Sequence, residues 1–384
     1  MKNKNEKLVT ISFLILLFGL FFANLFSPDQ ELSYSERRRL AQLPKLSVKE
    51  VFNAEYMKAF DKYATDQFIG REPFRGVKTF VDRNIFLKRD TNRLFQVDGS
   101  VFSIEYPLHE DKVVSLCGKL GALYDRYLDG MNVYYTVVPD KNYHLPNDGT
   151  HLSMEINSME RARTDMYLRM DYERLEELML ANMPSEAKYI DLFGTLSLSN
   201  YYMSDGHWRQ ETLKPVVDKL YTELGIPMTF DPSQYEERSY EPFYGAYYGQ
   251  LAGMAKPDTI VWLENYITRD AIVTSLGHPG REDLPIYYEE GLKGMDAYDV
   301  FLYGAQPLIT LDNPHNTSGR ELILVRDSFG SSVAPLLLEA YSRIIIVDLR
   351  YITQELLADY ITFENQDVLC MFSTIIINNS DIIR

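Results

Sequence analysis

Residues 321–349, ELILVRDSFGSSVAPLLLEAYSRIIIVDL, decide the fold. ELILV (321–325) is an unbroken apolar run of strand length. It gives way to Arg326-Asp327-Ser328-Phe329-Gly330, after which a helix is expected from about 330 to 341. RIIIVDL (343–349) reads as a second strand, 353–361 as a helix and DVLCMF (367–372) as a third strand. Strands apolar at every position need cover on both faces. Their alternation with helices predicts a three-layer α/β fold with a mainly parallel sheet. Ligands of such sheets settle beyond the carboxyl ends of the strands, which is where Ser328 falls.

Upstream, the pattern is looser. Ser47 and Glu50 form a capping-box pattern opening a helix to about Phe68, and a second helix follows Pro73. FQVDGSVF (95–102) sets Asp-Gly between apolar residues, a hairpin signal. A helix near 110–128 leads into the strand VYYTVV (133–138), and 157–182 and 209–224 read as helices. Tyr189 to Leu192 reads as a short strand, and residues 227–300 as a candidate insertion beside the sheet. The insertion opens with a Tyr- and Pro-rich stretch, followed by short β-runs at 259–263, 271–276 and 285–288, with one more at its end, 300–303.

The chain has 384 residues, 46% hydrophobic, with 39 basic against 55 acidic residues and a net charge of -16. The longest basic run is Arg37-Arg38-Arg39, so a phosphate backbone would be repelled and nucleic-acid binding is not expected. Residues 8–26, LVTISFLILLFGLFFANLF, carry no charge. As a helix they reach about 28 Å, close to the hydrocarbon thickness of a bilayer. Lys2, Lys4 and Lys7 precede them, while Asp29 and Glu31 follow. This predicts a cytoplasmic tail (1–7), a single transmembrane anchor (8–26), a polar stalk (27–46) and an extracytoplasmic domain (47–384). A cleaved signal peptide is the competing reading. It lacks the small residues its cleavage site needs, since Ala23-Asn24-Leu25 and Leu25-Phe26-Ser27 each fail at one position. Without residues 1–30 the balance is about -17, which should hold the exported body off an anionic surface. Cys117 and Cys370 sit in apolar runs and read as buried thiols, with a disulfide as the alternative that export allows.

Ser328, on a strand-to-helix turn, can project its hydroxyl at the sheet edge, with the Phe329 amide at the helix start as an oxyanion donor. Ser328 or Asp327 as a simple N-cap is the plainer alternative. A serine nucleophile needs a base, and the base an orienting acid. Of the histidines His109, His144, His151, His207, His278 and His315, only His207 has an aspartate at very short range, in Ser204-Asp205-Gly206-His207-Trp208. Asp205 and His207 could also contribute metal ligands, but no further partner stands at informative spacing.

Asp205-Gly206-His207-Trp208 followed far downstream by Arg326-Asp327-Ser328-Phe329 resembles the DHHW family. These are SGNH-hydrolase-like proteins related to the alginate O-acetyltransferases of bacterial envelopes. The stalk phrase from Ser35-Glu36-Arg37 to Pro44, the segment Asp66-Gln67-Phe68 to Arg71, Val138-Pro139-Asp140-Lys141 and Phe243-Tyr244-Gly245 are similar in kind and order. The resemblance covers most of the exported chain. It implies a catalytic set of Ser328, His207 and Asp205, with the serine last rather than first as in usual SGNH hydrolases. Gly206 replaces the second motif histidine, and Arg326 stands where the Gly of Gly-Asp-Ser would be. The superfamily's oxyanion Gly and Asn have no clear match; Gly304 and Gln306 are the candidates. Trp208 is a candidate platform for a sugar ring, and Arg326, Tyr244 and Lys141 are further candidates for substrate contact. Tyr240, Tyr247 and Tyr248 read first as packing residues and otherwise as an extension of that cleft.

The function the resemblance and the expected anchor imply is acetyl transfer to, or acetyl-ester hydrolysis on, an envelope or exported polysaccharide. The two outcomes differ in whether a sugar hydroxyl or water meets the acyl-enzyme. No cofactor or metal is called for, and a membrane-bound O-acyltransferase supplying acetyl groups is the implied partner. The rival from another class is an anchored glycan-binding or scaffolding protein that kept the fold without turnover; a metal-dependent hydrolase ranks last.

Overall fold

The computed structural model describes residues 2–33, 36–46, 54–88, 90–145, 169–252, 255–281 and 284–384. The capping pair Ser47 and Glu50, Ser35, His151 and the first part of the helix expected over 157–182 lie outside them. The chain forms two compact units, Met1–Thr91 with Gly249–Met254, and Asn92–Tyr248 with Ala255–Arg384.

The larger unit is a layered α/β body on a seven-stranded sheet. Its order is Lys188–Ile190, Asn132–Val138, Asp367–Ser373, Glu321–Arg326, Arg343–Val347, Leu308–Asp312, Ile272–Ser275. The first five strands run parallel and the last two pair antiparallel. The unbroken apolar runs are explained by alternation. Leu322 and Leu324 face one core while Ile323 and Val325 face the other; Ile344 and Ile346 part from Ile345 and Val347 in the same way. One face is covered by Phe329–Leu337 and Lys214–Glu223, the other by Glu110–Leu123 and Tyr172–Asn182. Both faces are dry, as a parallel sheet requires.

Several local readings differ from the structure. The runs 285–288 and 300–303 are not strands. Their pairing is an isolated bridge, Tyr287↔Phe301, with Tyr288 stacked on Tyr303 beside it, and Ala297–Val300 is a 3-10 turn. Conversely, Leu308–Asp312 is a sheet strand and Glu236–Phe243 pairs with Asp258–Glu264, although neither Leu308–Asp312 nor Glu236–Phe243 carries a strong strand pattern. The Asp98-Gly99 hairpin forms with φ of 50° and 80°, which a two-residue turn of the type I′ class demands. Cys117 and Cys370 are free, buried thiols; Cys117 Sγ lies 3.5 Å from Met179 Sδ.

The smaller unit holds the apolar helix Lys2–Phe26, whose segment Glu6–Phe26 is long and apolar enough to cross a membrane. A short pairing of Leu32–Ser33 with Arg38–Arg39 follows, then helices Glu55–Asp66 and Arg71–Asn84. Polar groups tie it together. Arg38 makes a two-pronged contact with Asp66 at 2.6 and 2.8 Å, and Arg71 reaches Glu36 at 2.7 Å. The Arg38 hydrogen bonds hold the Asp66 carboxyl down at about 2.

Candidate active site

Strand Glu321–Arg326 hands over to helix Phe329–Leu337 through Asp327 and Ser328. Asp327 is fully buried and makes the turn rigid. Its Oδ1 accepts the Phe329 amide at 3.0 Å, its Oδ2 accepts the Ser373 amide of the neighbouring strand at 2.7 Å, and its own amide bonds Met371 O. Helix and strand are close enough that a Cβ on Gly330 would lie 2.7 Å from Arg326 Cβ, so this position needs glycine. Ser328, at the helix N-cap position, does not cap with its side chain. Its hydroxyl is 2.7 Å from His207 Nε2.

Asp205 and His207 sit on a loop closed by the Tyr201↔Trp208 bridge. Asp205 Oδ1 accepts from both the backbone N–H of His207 at 3.0 Å and its ring Nδ1 at 2.6 Å, while Oδ2 accepts from Ala246 N at 2.6 Å. An ionised carboxylate only accepts, so Nδ1 carries the ring proton and Nε2 is left to accept from the Ser328 hydroxyl. Asp205 is buried while His207 and Ser328 are half-buried, which grades the relay from dry to wet. Tyr298 stacks on the imidazole at 4.0 Å and 14°, its own hydroxyl held by Ser332 Oγ at 3.1 Å. No spacing in the sequence pointed to Tyr298.

Other sequence candidates take different places. Trp208 is 1% exposed, its indole N–H bonded to Ser332 Oγ at 2.8 Å and Phe329 O at 3.2 Å. It is a core residue fastening the His207 loop to the helix after Ser328, and no sugar can stack on it. Arg326 is also wholly buried, bonding Asp348 Oδ2 and Gly304 O at 3.2 Å each, so it braces the turn rather than meeting substrate. Lys141 is buried, and its ammonium donates to the carbonyls of Val101, Tyr202, Met203 and Asp205 at 2.6–3.2 Å. Burial lowers it to about 7, against the pull of Asp205 and Asp258. It is a clamp on the base-bearing loop, not a substrate contact. Among the substrate candidates only Tyr244 is exposed, paired with Tyr248 at 4.5 Å.

The oxyanion candidates are corrected likewise. The Phe329 amide is taken by Asp327, the Gly304 amide by Phe301 O at 3.2 Å, and Gln306 by Ser275 Oγ and Tyr303 O at 3.1 Å each. Among the described residues the amide of Ser328 itself has no partner. The segment Phe243-Tyr244-Gly245 acquires a purpose here. Gly245 lies so close to Ser204 that any Cβ would strike its carbonyl, and this contact places Ala246 N–H on Asp205. Ser204 is held in turn by Asp258 at 2.6 and 2.7 Å. His315 also pairs with an aspartate, Asp270, at 2.7 Å, but on an exposed surface, and among the described residues no hydroxyl completes a relay there.

No family model and no curated relative matches the chain. Solved structures do. A DHHW family protein from Eubacterium siraeum overlays with a TM-score of 0.59 at 17% identity, covering 76% of this chain and 95% of that one. Bacillus cereus PatB1 with a sulfonyl adduct overlays with a TM-score of 0.54 at 12% identity, covering 74% and 97%. A looser overlay, TM-score 0.43 at 10% identity, is with the O-acetyltransferase domain of Pseudomonas putida AlgJ, covering 74% and 92%. The chain therefore shares the fold of a DHHW family protein and of PatB1, the fold class its motifs suggested.

Proposed function

We propose that the chain is a membrane-anchored, serine-dependent acyl-transfer enzyme acting on acetyl esters of an extracytoplasmic polysaccharide. In this reading residues 8–26 are the anchor, 27–46 the stalk and 47–384 the exported body. The observation that carries it is the unbroken relay Ser328 Oγ–His207 Nε2 at 2.7 Å and His207 Nδ1–Asp205 Oδ1 at 2.6 Å.

Ser328 Oγ attacks the ester carbonyl carbon as its proton passes to His207 Nε2. The carbonyl π pair moves to oxygen, and the unpartnered Ser328 amide is the donor for that developing charge. Asp205 stabilises the imidazolium through Nδ1. Collapse restores the carbonyl, breaks the C–O bond and returns the proton to the departing alcohol. An acceptor hydroxyl of a sugar, or water, then gives its proton to His207 and attacks the acyl-serine, regenerating Ser328. A membrane-bound acyltransferase is the proposed source of the acetyl group.

The test is labelling of the full-length protein by a sulfonyl fluoride, the class of electrophile that leaves the kind of adduct carried by PatB1, together with acetyl-ester turnover. Ser328→Ala should abolish labelling and reduce turnover by about 10³-fold or more. His207→Ala should do nearly the same, and His315→Ala should do neither. An unlabelled wild type would favour the glycan-binding scaffold, and labelling that survives Ser328→Ala would refute the nucleophile assignment.

A further inference from the structure

Helix Arg71–Asn84 is built inside out for a water-soluble surface. Its buried residues are polar, Thr79 and Asp82, while Phe74, Val77 and Phe80 are 58%, 59% and 55% exposed. Those three lie at i, i+3 and i+6, a single stripe of about 120° at 100° per residue. The apolar exposure continues beyond both ends, through Phe68 and Ile69 before the helix and Ile85, Phe86 and Leu87 after it. Leaving so many large apolar side chains in water is unfavourable.

The same unit says what covers them. The Ile69 amide donates to the side chain of Asn24 at 2.8 Å, and Asn24 lies in the last turn of the apolar helix Lys2–Phe26. Gln67 and Gln30 exchange two further bonds of 2.9 Å across the same junction. The start of the inside-out helix is thus fastened to the end of the segment that is long and apolar enough to span a membrane. The helix itself carries four basic residues against two acidic ones, with Lys88 following, in a chain that is otherwise strongly acidic.

We infer that Arg71–Asn84 is a second membrane contact: it lies in the interface of the bilayer that holds the anchor, with Phe74, Val77 and Phe80 among the acyl chains and the exposed Lys78 toward the headgroups. The inference rests on the reading of residues 8–26 as an anchor. It refines the expectation drawn from overall charge: the acidic body stands off the surface, while this helix lies on it.

The test places one indole at a time in the full-length protein, reconstituted in phosphatidylcholine–phosphatidylglycerol vesicles that mix lipids with acyl chains brominated near the carbonyl end and lipids brominated near the terminal methyl. Trp208 and Trp262 are buried and supply a constant background. Phe80→Trp and the mid-anchor Phe18→Trp should each be quenched about two-fold or more, and Lys78→Trp, whose parent side chain is 70% exposed, should be nearly unaffected. If Phe18→Trp is quenched but Phe80→Trp behaves like Lys78→Trp, the interfacial helix is overturned and the anchor stands. If Phe80→Trp and Lys78→Trp are quenched alike, the proposed facing is wrong. An unquenched Phe18→Trp overturns both.

Discussion

Asp205 accepts three hydrogen bonds in a place water does not reach, and those bonds set what the neighbouring imidazole can do. Replacing it with asparagine keeps the shape and alters the proton arithmetic, since an amide nitrogen facing Nδ1 would force the other tautomer. Asp205→Asn should therefore lower acetyl-ester turnover by about 10³-fold and also lower the melting temperature by a few degrees, because its NH2 meets one of the two backbone N–H groups the carboxylate accepts, a pairing read from steady-state rates beside a thermal scan. The three relay residues were legible in the sequence because each lies in a local phrase, Asp205-Gly206-His207 and Asp327-Ser328. Lys141 and Tyr298 were not legible in their roles. The carbonyls gripped by Lys141 lie 40 to 64 positions away, and Tyr298 meets His207 only through the tertiary fold. Trp208 misled for a related reason: adjacency to the base in sequence says nothing of which way an indole points.

At the scale of elements, the active turn depends on close backbone approaches more than on helix or strand propensity. Gly245 is the sharpest case, because a methyl there collides with the Ser204 carbonyl, a backbone atom that cannot swing aside. Gly245→Ala should push the Asp205 loop away, costing about 1–3 kcal/mol of stability and at least tenfold in turnover. Denaturant midpoints and rates measured on the same preparation check it; a variant as active as wild type would mean the brace is dispensable. The parallel strands were readable because short runs apolar at every position, spaced by helices, must be buried on both faces of a sheet. Leu308–Asp312 was not: it is a short edge-side strand whose place is set by pairing with Arg343–Val347 and Ile272–Ser275. The runs at 285–288 and 300–303 share the apolar, aromatic-rich character of strands, yet they pack as turns joined by a single bridge.

Taken whole, the two units hold groups whose contributions to stability vanish at opposite ends of the pH scale. Burial pushes the thiols of Cys117 and Cys370 from 9.0 up to about 11 and about 12, and Tyr135 from 10.0 up to about 12. At these three groups the folded larger unit keeps protons that its unfolded chain would release. The stability they contribute is thus fully present below pH 9 and is lost as pH rises through 11 to 12. Asp66 has the opposite sign: lowered from 3.8 to about 2 by Arg38, it stabilises the smaller unit above pH 3.8 and ceases to as pH falls through 2. Hydrogen exchange across both ranges should show the larger unit loosening in base and the smaller in acid. The double variant Cys117→Ala with Cys370→Ala should flatten the alkaline slope. The sheet order carries one more consequence. Asp367–Ser373, the strand furthest along the chain, lies between Asn132–Val138 and Glu321–Arg326. It is a keystone set last, so a polypeptide made from its N-terminal end stays an open arch until its tail arrives. The Ser373 amide that fixes the Asp327 turn comes with that tail, so the turn bearing Ser328 gains its last brace only on a complete sheet.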